Sequence, residues 1–233
     1  MNTQIALPEL TDILFARAYA YDILRRFFIE EPTQDYLKVF TQQRMIENFP
    51  FKEDSEGIAE GIEDVKHFVE NMDLIHNQEN FDNLHWDYTR MMIGPFELAA
   101  PPWESIYVQK EPLLFQECTM DVRKKYRHFG FKTPDKHFEA DDHIGLELDF
   151  LYHLNHLCQK SAEEGNLQEV SYLLSESEKF LNEHLLVFAP EFSKRVIDHA
   201  DTPFYKGMAK ILQHYLLIDS QFLKELLNSN IIH

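Results

Sequence analysis

Apolar residues recur every three or four positions along almost the whole chain, a spacing that admits helices and little else. Over residues 9–30 the set is Leu10, Ile13, Leu14, Ala18, Tyr21, Leu24, Phe27 and Phe28. Thr11 or Asp12 can cap this helix and Pro32 helps end it. The same spacing predicts helices over about 34–47, 58–75, 79–93 and 113–129. A long helix starts at Asp141 or Asp142 and runs to about Glu164, where Gly165-Asn166 supplies left-handed C-cap chemistry. Further helices fit 167–187, about 190–200 and 203–228, the last opened by Thr202-Pro203. No alternating run predicts a strand, and the 7 glycines and 19 phenylalanines fit a helix-rich chain with a sizeable core. The expectation is an all-α fold, one domain over residues 1–233 with roughly eight to ten helices.

Charge narrows the partners. With 22 basic and 40 acidic residues the formal net charge is −18. Phosphate binding needs a basic face, so a nucleic-acid partner is not expected, whereas a basic peptide is attracted. From Glu139 to His184 eleven Asp/Glu stand against two Lys, so this stretch holds half the net charge. It reads either as solvated helix faces or as a field for a cationic ligand. Cys118 and Cys158 lie far apart with no CxxC, which fits reduced thiols. The N-terminus has no basic region followed by an apolar one, and no apolar run reaches the roughly 18 residues of a membrane span. The expected location is the cytoplasm, without stable membrane insertion.

Catalytic chemistry is poorly supported. None of the 12 histidines has Glu three residues before it, the spacing of di-iron bundles. Asp64/His67, Asp73/His76 and Asp82/His85 read as surface pairs. His143 with Glu147, or Asp149 with His153 and His156, fall short of a converged zinc site. Neither a Gly-x-Ser-x-Gly elbow nor a Gly-rich phosphate loop is present. We therefore expect no catalytic residues, no metal and no cofactor. Arg25-Arg26 lies inside an amphipathic helix and reads as a surface pair.

Two stretches are more specific. Tyr88-Thr89-Arg90-Met91-Met92-Ile93-Gly94-Pro95 leads through Phe96-Glu97-Leu98-Ala99-Ala100 to Pro101-Pro102-Trp103-Glu104-Ser105-Ile106-Tyr107. Gly-Pro and Pro-Pro cannot continue a helix, so a stiff loop follows an apolar helical end. In the second stretch, Asp142-His143 falls at a helix start, where an acid caps backbone donors, and neighbouring acids should favour a charged His143.

Together these stretches resemble the TorD/DmsD family of redox-enzyme maturation chaperones. The first resembles its aromatic-x-x-Leu-Phe-x-Gly-Pro … Pro-Pro-Trp-x-Ser-Val-Tyr pattern and the second its Glu-Pro-x-Asp-His-x-x-x-Glu-Leu pattern. Ala200-Asp201-Thr202-Pro203-Phe204-Tyr205 is similar to the segment opening the last helix of DmsD-like members, and Arg17-Ala18-Tyr19 … Glu31-Pro32 also fits. The resemblance implies an all-helical, non-catalytic protein that binds the twin-arginine leader of a molybdopterin oxidoreductase, of the dimethyl-sulfoxide or trimethylamine-oxide type, and holds back export until cofactor insertion. The mature part of that subunit is a further candidate contact. By resemblance, Tyr88, Met91, Met92, Pro101, Pro102, Trp103, Ser105, Asp142 and His143 contact the leader, with Asp142 pairing to guanidinium groups. Gly94, Pro95, Glu147, Pro203, Phe204 and Tyr205 belong to the structural motifs. The chain departs from the pattern at Met91-Met92, at Ala140 in place of proline, and at Glu104, which is expected to add a charge beside the groove. A monomer is expected, with a domain-swapped dimer as the alternative. The competing functional readings are a helical enzyme or metal binder using the His and acid positions, and a holdase without leader selectivity.

Overall fold

The computed structural model describes residues 4–95, 97–108, 117–133 and 139–232. Helices follow one another almost without interruption: α1 (Leu7–Ile29), α2 (Gln34–Gln42), a 3-10 turn (Met45–Asn48), α3 (Glu56–Asn71), α4 (Gln78–Met92), α5 (Glu104–Val108), α6 (Glu117–His128), α7 (Ile144–Glu163), α8 (Leu167–Phe180), a π-helical turn (Leu181–Leu185), α9 (Leu186–His199) and α10 (Pro203–Leu227). The all-helical expectation holds. The sequence reading missed α5 and two three-residue strands, β1 (Gln4–Ala6) and β2 (Asn230–Ile232), which pair in parallel. Part of the helix expected over 113–129 lies outside the described residues.

Short polar side chains mark the helix starts. Thr33, Ser55, Asn77, Asn166 and Thr202 each accept a first-turn backbone N–H. The first helix behaves otherwise. It begins at Leu7 with a proline in its first turn and no side-chain cap. Thr11 sits inside it and donates back to the Leu7 carbonyl at 2.9 Å, so neither Thr11 nor Asp12 is the cap. Pro190, expected to open a helix, lies inside α9. The π turn immediately before α9 keeps α8, turn and α9 in one continuous run, so the break expected near residue 187 does not occur.

One continuous set of buried apolar residues draws on nearly every helix. The helices α3 and α10 approach most closely at a pair of glycines. A Cβ on Gly207 would lie 2.5 Å from the Gly61 carbonyl oxygen, and one on Gly61 would lie 2.6 Å from that of Gly207. Gly145 similarly lets the start of α7 pass against the backbone of Ile29 at the end of α1. At the centre, Arg17 of α1 makes a two-bond pair with Asp219 of α10, at 2.6 and 3.0 Å, and donates to Asn155 of α7 at 2.7 Å. Tyr21 donates to the same carboxylate at 2.6 Å. Burial disfavours the guanidinium charge, but Asp219 outweighs it and leaves Arg17 firmly protonated.

Candidate functional site

Helix α4 ends where its chemistry changes. Ile93 and Gly94 both donate to the Thr89 carbonyl at 2.9 Å, and Gly94 takes φ of 110°, which suits a residue without Cβ. The loop returns to the helix end through Ala100 N–H, which donates to the Met91 carbonyl at 3.1 Å. Pro101-Pro102-Trp103 then meets the start of α7. Ile144 N–H donates to the Pro102 carbonyl at 2.8 Å and Glu104 N–H donates to the Asp142 carbonyl at 3.0 Å, an antiparallel bridge centred on Trp103 and His143. The indole stands edge-on to the imidazole, with ring centroids 6.0 Å apart. The two stretches singled out by sequence are therefore neighbours joined by hydrogen bonds.

Beneath the bridge lies a buried polar cluster. One Asp142 carboxylate oxygen accepts Ser105 N–H and the other accepts the Thr119 hydroxyl, both at 2.9 Å, so this side chain ties α5 and α6 to the α7 start. His143 is the cap of α7, and its Nδ1 accepts Gly145 N–H at 3.1 Å. A doubly protonated ring has no lone pair at that nitrogen, so the geometry favours the neutral imidazole over the charged one expected. Glu104 is buried and faces Nδ1 of His184 at 3.0 Å, placed there by the π turn, so it adds no exposed charge. Glu147 is 0% exposed. Burial pushes its carboxyl well above the ordinary range, and the nearby Glu104 and Asp142 push it further. Both Glu147 carboxyl oxygens are buried with no hydrogen-bond partner among the described residues, so the neutral acid is the form this site favours.

The remaining expected site residues divide by burial. Tyr88, Met91 and Met92 are core residues; Tyr88 packs on Tyr205 and its hydroxyl donates to the Phe28 carbonyl at 3.4 Å. Pro102, Ser105, Asp142 and His143 are buried too. Asp142 in particular has both oxygens occupied and no exposed surface. Pro101 and Trp103 are half-buried, and the indole Nε1 is buried without an acceptor in the described chain. Half-buried Tyr107 joins this edge through its hydroxyl, which donates to the Pro101 carbonyl at 2.8 Å, and Ile93 and Pro95 in the preceding loop are exposed. Although proline is absent from position 140, the turn still closes, since His143 N–H donates to the Ala140 carbonyl at 3.1 Å.

Sequence reasoning missed Asp87. Its carboxylate accepts Asp201 N–H at 2.9 Å, Thr202 N–H at 2.8 Å and the Thr202 hydroxyl at 2.7 Å, and pairs with Arg90 at 3.0 Å. It thereby fastens α4 to the Thr202-Pro203 turn, after which Phe204 packs against Phe27, Phe40 and Phe68. An acid inside an otherwise apolar helical face was the available signal. Arg25 also differs from expectation: it is partly buried, donates to Asp149 of α7 at 2.9 Å and lies 4.3 Å from the Tyr152 ring centroid.

The acid and histidine positions serve structure. Asp73 closes its own turn by accepting the N–H groups of Ile75 and His76, and His153 faces the Phe129 carbonyl at 3.0 Å. Among the described residues no group of three or more His, Cys, Asp or Glu could hold a metal ion. Cys158 is buried, and burial pushes its thiol up to about 11. No described helix is long and apolar enough to cross a membrane.

Fold and site together define an all-helical protein in which a proline-rich loop is bridged to the start of a long helix, with Glu104, Asp142 and Glu147 held inside. The chain belongs to the nitrate reductase delta subunit family, whose model matches residues 52–194. It is 30% identical over 136 residues to the Tat proofreading chaperone DmsD of Salmonella typhi, covering 58% of each chain. It is 26% identical over 218 residues to the chaperone protein TorD of Aliivibrio fischeri, covering 93% of this chain and 99% of the relative. With TorD of Vibrio vulnificus it shares 27% identity over 211 residues, covering 89% and 94%. The match thus spans under two thirds of the DmsD length and nearly all of TorD. The TorD/DmsD likeness read from the motifs is borne out.

Proposed function

We propose that this chain is a cytoplasmic maturation chaperone that binds the twin-arginine leader of a molybdopterin oxidoreductase and delays its export until cofactor and fold are in place. It acts by binding and catalyses no reaction. The observation that carries the reading is the Trp103–His143 bridge, which joins the two family-like stretches into one preformed surface. The leader docks on Pro101, Trp103 and their apolar neighbours. Tyr88, Met91, Met92, Pro102, Ser105, Asp142 and His143 hold that edge in place from the inside. The arginine pair meets exposed carboxylates flanking the bridge in sequence, Glu97 and Glu139, and not Asp142.

A synthetic peptide carrying an Arg-Arg pair ahead of an apolar stretch tests this by titration calorimetry. Trp103→Ala is expected to weaken binding by about 2–4 kcal/mol, as truncation of a central aromatic does. Affinity should also fall as salt rises, since exposed carboxylates are screened. Equal affinity for an Ala-Ala version of the peptide would replace this reading with an unselective holdase.

A further inference from the structure

The α4 helix presents a second surface that the motifs do not reveal. Asn83, Trp86, Arg90 and Ile93 follow one another at three- and four-residue spacing and are all exposed. Trp86 is 61% exposed and Ile93 56%. On one side this stripe borders a groove of about 590 Å³ between α3, α4 and the start of α10. Phe68 and Met72 of the α3 end wall it opposite Trp86, with Pro203 at its base. Met72 is 42% exposed. Trp86 and Met72 are two of ten large apolar side chains the described residues leave exposed, and these two line one open groove.

Charge selects the occupant. The charged residues lining the groove are Asp87, Asp201 and Arg90, on a chain whose net charge is −18. Arg90 is already neutralised, bonded to Asp87 at 3.0 Å, to Asp201 at 2.7 Å and to the His199 carbonyl at 2.9 Å. The Asp201 side chain remains 73% exposed at the rim. A groove lined by Trp86, Met72, Phe68 and Pro203, with exposed Asp201 at its rim on a strongly acidic chain, suits a segment that is both apolar and cationic. A second copy of this chain suits it poorly, because each copy carries −18.

We infer that this groove takes the apolar stretch of the cationic leader, with Trp86 and Met72 clasping its bulky side chains; this rests on the chaperone reading. Seven residues of helix separate Trp86 from Ile93, about 10 Å at helical rise. The stripe therefore runs from the groove to the end of α4, where Ala100 of the loop leading to Trp103 returns to the helix, and a single leader is expected to touch both.

The chain has two tryptophans, one at each surface. Trp103→Phe leaves Trp86 as the sole indole reporter, and Trp86→Phe leaves Trp103. The probe is a tryptophan-free synthetic peptide with an Arg-Arg pair followed by a Leu/Ala-rich stretch. We expect Trp86 emission to shift on addition of this peptide, and Trp86→Ala and Met72→Glu each to weaken binding at least about tenfold while helicity is kept. If both variants bind like wild type and Trp86 emission is unmoved, while Trp103→Ala still weakens binding, the groove assignment fails and the chaperone reading stands. If wild type binds no such peptide, both fail together. Sedimentation showing a dimer that Met72→Glu disperses makes a second copy the occupant and overturns the assignment.

Discussion

Replacing Asp219 with alanine tests the most consequential polar contact in the core. Arg17, Asp219 and Asn155 are essentially without exposure, so water cannot substitute for a missing partner. Asp219→Ala removes both bonds to the Arg17 guanidinium and the acceptor of the Tyr21 hydroxyl. Among the described residues Asn155 is then the only hydrogen-bond acceptor left to a buried cation. Breaking one side of such a pair costs about 3–5 kcal/mol, because the remaining charge stays desolvated. With a denaturant slope of about 3 kcal/mol/M in urea, the midpoint should fall by roughly 1–1.7 M. Urea titration followed by circular dichroism measures this directly. The double variant Arg17→Met/Asp219→Leu, which removes the stranded charge, should lose less than the two single variants added together. A midpoint shift below about 0.3 M for Asp219→Ala, or full additivity in the double variant, would refute the reasoning.

Two other substitutions probe separate parts of the fold. Glu147 has a folded-state pKa above its unfolded one, so the native state binds the extra proton; the stability this gives is complete below the usual carboxylate range and is lost as pH rises towards the folded value. Wild type should therefore lose stability as pH rises above the usual carboxylate range, by up to about 1.4 kcal/mol per unit, and Glu147→Gln should flatten that slope; parallel pH profiles of the two proteins would sink the idea. Gly207→Ala should destabilise by about 1–3 kcal/mol, since the new methyl meets the Gly61 carbonyl oxygen and not a side chain that can turn away; a melting temperature equal to that of wild type would show that α3 and α10 separate freely.

Much of the helical framework was legible because it depends on neighbours three and four residues away. The stripes of α1, α3 and α7 and the Gly165-Asn166 stop are local signals, and the structure keeps them. The misreadings have physical causes. A helix start was expected near residue 190, but the π turn runs straight into α9 and Pro190 lies within that helix. The short α5 falls within a stretch read as loop, and its first residues are held by Asp142, 38 residues later than Glu104, where it starts. The strands β1 and β2 are three residues each and lie near opposite ends of the chain, too short for alternation to register.

The sequence by itself determined the helical class, the acidic character and the two stretches that carry the family resemblance, because each is a matter of composition or short spacing. Only the tertiary structure decided what those residues do for one another. It joined Trp103 to His143 across forty positions, made Asp142 an internal clamp of α5 and α6, and buried Glu147 near Glu104 and Asp142, where burial raises its carboxyl pKa. It also left Trp86 in solvent on the face of α4 opposite the core, a distinction that helical periodicity alone did not draw. Burial of a polar or aromatic side chain depends on which distant helix packs over it, and that information is not local to any segment of the chain.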